Sequence, residues 1–236
     1  MKYPVLVPNI FNYPFTYESE IKLQVGDYVK VPFGKSVITG VIWNDFEKTK
    51  NKKFNIKKIL EKINIKPLKN ETINFLNLLS EYNLVPKGMC LKMHLLGGEA
   101  IHPFDKNEYD EYNLVNKKTD FKLSTEQKKI LKEVLINSKD FRVHLLQGTT
   151  GSGKTIVYFG AIEDKLNQGF QALILLPEIG LTNEFEKKFK EYFGFNAAVW
   201  HSGITQKRKK IIWSGLSEGK IKVVIGARSS LFLPFK

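Results

Sequence analysis

Gly148-Thr149-Thr150-Gly151-Ser152-Gly153-Lys154-Thr155 satisfies G-x-x-x-x-G-K-[ST], the phosphate-cradling loop of P-loop nucleotide hydrolases. Before it, Arg142 to Gln147 is a short, mostly apolar run that reads as a strand over Val143–Gln147. After it, Ile156 to Ile162 fits a buried helix. Glycines let backbone N–H groups turn inward onto phosphate oxygens, and the helix N-terminus adds partial positive charge. In such a loop Lys154 reaches the β- and γ-phosphates and the Thr155 hydroxyl holds Mg²⁺. A glycine-rich turn matching by chance would not account for a strand before it and a helix after it. The stretch predicts binding of a nucleoside triphosphate.

Downstream, apolar runs and helical patterns alternate. Strands are expected over Ala172–Leu176, Ala197–Trp200 and Ile221–Ile225, with helices over Lys154–Asn167, Asn183–Phe193 and Thr205–Glu218. Alternation of this kind implies βαβ units and a parallel sheet covered on both faces. Upstream, Ser124-Thr125-Glu126-Gln127 is a capping box that opens a helix running to about Asn137.

The front of the chain has a different texture. Residues 1 to about 65 carry β-branched and aromatic runs at Val5–Val7, Asp27–Val31 and Val37–Trp43, and Ile56–Ile63 reads as a further strand, with a helix as the alternative. Turn signals at Pro8-Asn9, Val25-Gly26-Asp27 and Pro32-Phe33-Gly34-Lys35 separate them, so a small open barrel or sheet is expected. A helix follows, capped by Asn70, with an apolar side at Phe75, Leu78, Leu79 and Tyr82, and it ends at Pro86. Lys87 to Leu96 forms a second, short helix. Glu99 to Phe121 is polar and without period, and reads as a linker. The expected fold is α/β: a small β-rich domain at 1–97, a linker at 98–122, and a parallel-sheet P-loop lobe at 123–236.

The 236 residues suffice for two small domains with real cores. Thirty-seven Lys and Arg against 24 Asp and Glu give a net charge of +13, which suits a polyanionic partner and nucleic acid before membrane. Compositional bias alone would raise the charge in the same way. A single cysteine, Cys90, excludes an internal disulfide framework and any zinc cluster built on cysteines of this chain. No apolar stretch approaches the ~20 residues of a membrane span and no signal-peptide pattern is present, so a cytoplasmic protein is expected.

Further elements fall where strands of the lobe end, the place where open α/β sheets contact ligands. They are Leu176-Pro177-Glu178-Ile179-Gly180-Leu181-Thr182, His201-Ser202-Gly203 and Ile225-Gly226-Ala227-Arg228-Ser229-Ser230. The last runs on into Leu231-Phe232-Leu233-Pro234-Phe235. Together with Gly148–Thr155 they resemble the primosomal replication protein N′ family, superfamily-two DNA helicases that restart stalled replication forks. Pro14-Phe15-Thr16-Tyr17, the run from Val25 to Lys35 and Lys57-Lys58-Ile59-Leu60-Glu61 resemble the small N-terminal domain of the same family.

The resemblance implies an ATP- and Mg²⁺-dependent DNA helicase, translocating 3′ to 5′, that serves primosome assembly at stalled forks. Its front domain would grip the 3′ end of the leading strand, with Phe15 stacking on the terminal base, Thr16 and Gly34 lining the pocket and Lys57 meeting phosphate. Thr16 departs from the family, which commonly has Asp there; a hydroxyl is a weaker partner for a 3′-OH than a carboxylate. Gln127 matches the residue used near adenine. Pro177, Glu178, Thr182, Arg228 and Ser229 match motifs laid along the DNA backbone. The Lys207-Arg208-Lys209-Lys210 run reads first as a solvated helix face, with an added phosphate contact as the alternative. Implied partners are forked DNA, its 3′ end and single strands, single-strand-binding protein and other primosome proteins.

Some family parts have no counterpart in these residues. The linker is too short for a winged-helix domain, and no acidic Asp-Glu-Glu-His motif, second lobe or zinc cluster occurs. ATP binding is therefore expected here, and hydrolysis by these residues alone is not. Residues 123–236 on their own are expected to be marginally folded, whereas 1–97 should fold independently. The competing reading is a non-catalytic DNA-end-binding protein with a remnant nucleotide lobe.

Overall fold

The computed structural model describes residues 1–45, 55–96, 109, 112, 123–136, 141–177 and 183–236. Six strands build the N-terminal region: β1 (Lys2–Leu6), β2 (Phe15–Glu18), β3 (Tyr28–Phe33), β4 (Ser36–Ile42), β5 (Lys57–Lys58) and β6 (Glu61–Lys62). The β3–β4 hairpin forms because Gly34 takes φ +60 in a two-residue turn, with Phe33 and Ser36 paired across it. β1 pairs antiparallel with both β2 and β4, β5 runs parallel to β2, and β6 is antiparallel to β3.

The strand order β5-β2-β1-β4-β3-β6 looks open until its ends are compared. β5 and β6 lie at opposite edges, yet only Ile59 and Leu60 separate them in the chain. Ile59 N–H donates to Glu18 O on one edge at 2.8 Å, and Leu60 N–H donates to Lys30 O on the other at 2.9 Å. The edges therefore meet at β5 and β6, and the sheet closes there into a barrel. The expected single strand over Ile56–Ile63 is replaced by these two short pieces, and β2 is a strand that periodicity did not reveal. Val5, Val7, Tyr17, Val29, Val31 and Ile42 fill the barrel.

Two helices follow, α1 (Asn70–Asn83) and α2 (Lys87–His94). Two expectations for α1 are corrected. Its N-cap is Lys69, with no side-chain cap bond, and not Asn70. The buried face is Ile73, Leu76 and Ser80, whereas Leu78 and Tyr82 are 64% and 85% exposed. The polar Ser80 sits inside because its hydroxyl donates to Val85 O at 2.6 Å, so counting apolar residues selects the wrong face. Gly88 in α2 is required: a Cβ there would collide with the carbonyls of Val7 and Asn9.

The remaining helices are α3 (Thr125–Leu135), α4 (Lys154–Asn167), α5 (Asn183–Phe193) and α6 (Gln206–Glu218); the remaining strands are β7 (Ala172–Leu175), β8 (Ala198–Trp200) and β9 (Val223–Gly226). β7-β9-β8 is a parallel sheet, as alternation predicted. The expected strand Val143–Gln147 is absent from it. Phe141, Val143 and Leu145 are 94%, 84% and 92% exposed, and no described strand pairs with them. β propensity favours extended backbone, but a strand exists only where a neighbour supplies the ladder.

By contacts the chain forms two compact units, which cut across the division expected at 97 and 123. One is Met1–Glu108 with Ser202–Gly219 and Leu231–Lys236; the other is Tyr109–His201 with Lys220–Ser230. The first unit is held by a buried polar cluster around His94. Its Nδ1 lies 2.7 Å from Phe232 O, and its Nε2 lies 2.8 Å from the Tyr28 hydroxyl. A carbonyl can only accept, so Nδ1 carries the proton and Nε2 accepts from Tyr28. Trp213 of α6 donates its indole N–H to His94 O at 2.8 Å and packs edge-on against Tyr28. The second unit has an aromatic core: Phe159, Phe189 and Phe195 beneath Ile174, Val223 and Ile225.

Candidate functional site

In the second unit the capping box forms as read. Ser124 Oγ accepts from Gln127 N–H at 3.2 Å, and Gln127 Oε1 accepts from Ser124 N–H at 2.9 Å. The other end of the same amide donates from Nε2 to Ser152 O at 3.1 Å. Gln127 thus ties the start of α3 to the crown of the phosphate loop, and a Cβ on Gly153 would strike its Nε2.

Gly151 and Gly153 take φ +82 and +80, conformations that cost L-residues strain, and α4 begins at Lys154. Gly148 packs against Ser152 Oγ, and Thr149 O accepts the Ser152 N–H at 3.3 Å. Lys154 Nζ donates to Gly148 O and Thr149 O, each at 2.7 Å. The ammonium is therefore folded over the loop it would use to hold phosphate. Thr150, Gly151, Gly153, Lys154 and Thr155 line a cavity of about 650 Å³, ample for a triphosphate. Positive-φ glycines, a helix N-terminus and a lysine at one mouth fit a nucleotide triphosphate with its Mg²⁺.

Lys188, Glu191 and Tyr192 of α5 line the same cavity, and no spacing in the sequence announced them. Tyr192 donates to Glu163 Oε2 at 3.3 Å, and its phenol is pushed up to about 12 by burial and then by the Glu163 charge. Lys188 is paired with Glu184 at 2.7 Å.

The strand-end residues converge. Leu175 and Trp200 both pair with Gly226, which aligns the ends of β7, β8 and β9. Pro177, His201 and Arg228 follow those ends by one or two residues, so they share one edge of the sheet. Arg228 and Ser229 are exposed at the start of a 3-10 helix over Arg228–Phe232. Pro177 is exposed as well, while Glu178 and Thr182 lie outside the described residues.

In the first unit Phe15 opens β2 and packs half-buried on the barrel core, its ring 5.5 Å from that of Phe33. Gly34 follows Phe33 in an open turn where a Cβ would meet nothing within 4 Å. Lys57 opens β5 opposite Tyr17 of β2 and is exposed. Phe15 and the Gly34 turn thus lie together, and Lys57 starts the strand beside β2. Thr16 is exposed beside them, on the opposite face of β2 from Phe15 and the buried Tyr17. Among the described residues no group of His, Cys, Asp and Glu could hold a metal ion, and no helix is long and apolar enough to cross a membrane.

Both parts of the chain match known proteins. Residues 4–95 match the model of the 3′DNA-binding domain (3′BD), and residues 124–235 match that of the DEAD/DEAH box helicase. Replication restart protein PriA of Rickettsia conorii is 36% identical over 234 residues, 98% of this chain and 35% of that protein. PriA of Helicobacter pylori strain 26695 is 34% identical over 230 residues, 94% of this chain and 33% of its own length. PriA of Bacillus subtilis is 42% identical over 101 residues. The chain spans about a third of the length of the first two relatives. One segment matches the 3′DNA-binding domain and the next a DEAD/DEAH box helicase, and over both segments the chain is similar to the replication restart proteins PriA.

Proposed function

We propose that the chain serves an ATP-dependent 3′-to-5′ DNA helicase for replication restart, supplying its 3′-end grip and the ATP-binding half of its motor. The observation that carries this reading is the presence, in one chain, of a barrel matching a 3′DNA-binding domain and a formed phosphate loop over Gly148–Thr155. Phe15 stacks on the terminal base, Gly34 lets the backbone approach it, Lys57 meets phosphate and Thr16 hydrogen-bonds nearby. Pro177, Glu178, Thr182, Arg228 and Ser229 follow the DNA backbone along the strand-end edge.

At the nucleotide site, ATP with Mg²⁺ supplies the hydrolysable phosphoanhydride that powers translocation. Gly151 and Gly153 would open the loop backbone to phosphate, Lys154 would exchange the Gly148 and Thr149 carbonyls for it, and the Thr155 hydroxyl would hold the metal. Gln127 positions the crown of the loop beside the base. Hydrolysis needs an acidic group for metal and water that an Asp-Glu-Glu-His motif would supply, and these 236 residues do not contain one. These residues alone therefore bind ATP without turning it over.

The test is ATP binding and single-turnover hydrolysis with forked DNA, on this chain and on the chain continued by the acidic segment of a relative. Binding by both with hydrolysis only by the longer chain agrees with the proposal. Binding with hydrolysis by neither favours a non-catalytic end-binding protein. No binding by the 236 residues contradicts the reading.

A further inference from the structure

The loop ahead of β2 carries a feature that gripping a single terminal base does not use. Phe11, Tyr13, Phe15 and Phe33 form one aromatic cluster, each ring half-buried. Tyr13 and Phe15 are 5.3 Å apart at 54°, and Phe11 meets Phe15 edge-on at 5.1 Å. None of these pairs is a parallel stack, so no two rings of the cluster lie face on face.

Tyr13 differs from the ring of a packed core. A buried tyrosine normally finds a partner for its hydroxyl, whereas that of Tyr13 makes no hydrogen bond among the described residues. The backbone that carries it is pinned on both sides. Asn12 Oδ1 accepts from Lys87 N–H at 3.1 Å, and Phe11 O accepts from Gly88 N–H at 3.0 Å. Pro14 after it is buried. The half-buried ring thus sits on a fixed loop, so little ordering entropy is lost when a flat ligand covers its open part. Lys35 of the Gly34 turn beside Phe33, and Lys57, paired with Tyr17 of β2, are exposed and make no ion pair among the described residues.

We infer that Tyr13, buttressed by Phe11, is a second base-stacking ring next to Phe15, so that the barrel end takes two successive bases of single-stranded DNA. This rests on the proposed end-binding reading and deepens it. Aromatic faces accept any base, so the second position adds affinity without choosing sequence, while the lysines attract the backbone.

The experiment is fluorescence anisotropy on the full chain with a 5′-labelled oligodeoxynucleotide carrying a free 3′-OH. Each of the last four nucleotides is replaced in turn by an abasic site. Tyr13→Ala weakens binding of the intact strand about 10-fold, as does one abasic site in the wild type. Tyr13→Ala loses nothing further on that abasic strand, because ring and base act as a pair. Tyr13→Phe restores the intact affinity, and circular dichroism of Tyr13→Ala matches the wild type. Additive losses at all four positions, or full affinity in Tyr13→Ala, overturn the inference. A 3′-phosphate strand that binds as well as the free end, with the Tyr13 pairing intact, instead removes the end-binding reading and leaves the stacking ring standing.

Discussion

His94 and Val143 both follow from apolar sequence context, and they end in opposite circumstances. His94 is a titratable residue buried completely, with both ring nitrogens and its carbonyl hydrogen-bonded. Val143 is a strong strand former that stays 84% exposed with no strand beside it. Polarity does not decide which is inside. What decides is whether partners arrive from elsewhere in the chain: Tyr28, Trp213 and Phe232 converge on His94, and no described strand reaches Val143.

The sharpest way to break this comparison is Trp213→Ala. Removing a fully buried indole that also satisfies His94 O should cost about 3–5 kcal/mol, read as a lower urea midpoint. A change below ~1 kcal/mol would mean that the cluster is ornamental.

Acid titration comes next in size. Burial lowers the His94 pKa from its usual 6.5 to about 4, although its bond to Phe232 O works the other way. The unfolded chain therefore takes up this proton first. Stability is complete above about pH 6.5, falls as pH drops below it, and levels off below about pH 4. The expected loss is of the order of 3 kcal/mol. Tyr28, raised by burial, does not titrate in that window. His94→Gln should flatten the acid limb of the curve, and an unchanged limb would assign the loss to other groups.

Gln127→Ala removes half of the capping box and the hold on Ser152 O. About 1 kcal/mol of stability should go, together with a weaker affinity for ATP. Stability lost with unchanged nucleotide affinity would limit Gln127 to capping. The smallest effect belongs to the exposed run: Phe141→Ser should shift stability by no more than about 0.5 kcal/mol in these 236 residues. A loss above ~2 kcal/mol would show that this run is packed in solution, and the contrast with His94 would fail.

Several features of both regions were legible in the sequence. The Ser124 capping box, the Gly34 turn and the bounds of α4 and α5 were read directly, because each depends on residues within a few positions of one another. The expected strand over Val143–Gln147 failed because it needs a neighbour. The face of α1 was misread because Ser80 finds its acceptor in Val85, a satisfaction that no hydropathy count contains. Of the candidate site, the phosphate loop and the three strand-end segments were visible as motifs. Lys188 and Tyr192 were not, since α5 reaches the loop cavity only through packing.

The sequence by itself determined the local chemistry: the positive-φ glycines at 151 and 153, the lysine that follows them, and the alternation that yields a parallel sheet. Tertiary structure alone decided that β5 and β6 close the barrel, that Phe33 stands beside Phe15, and that helix α6 supplies Trp213 to His94. The physical reason is range. A turn or a cap is fixed by neighbours along the chain, whereas the His94 bond to Phe232 joins positions 138 residues apart and exists only once the fold has brought them together.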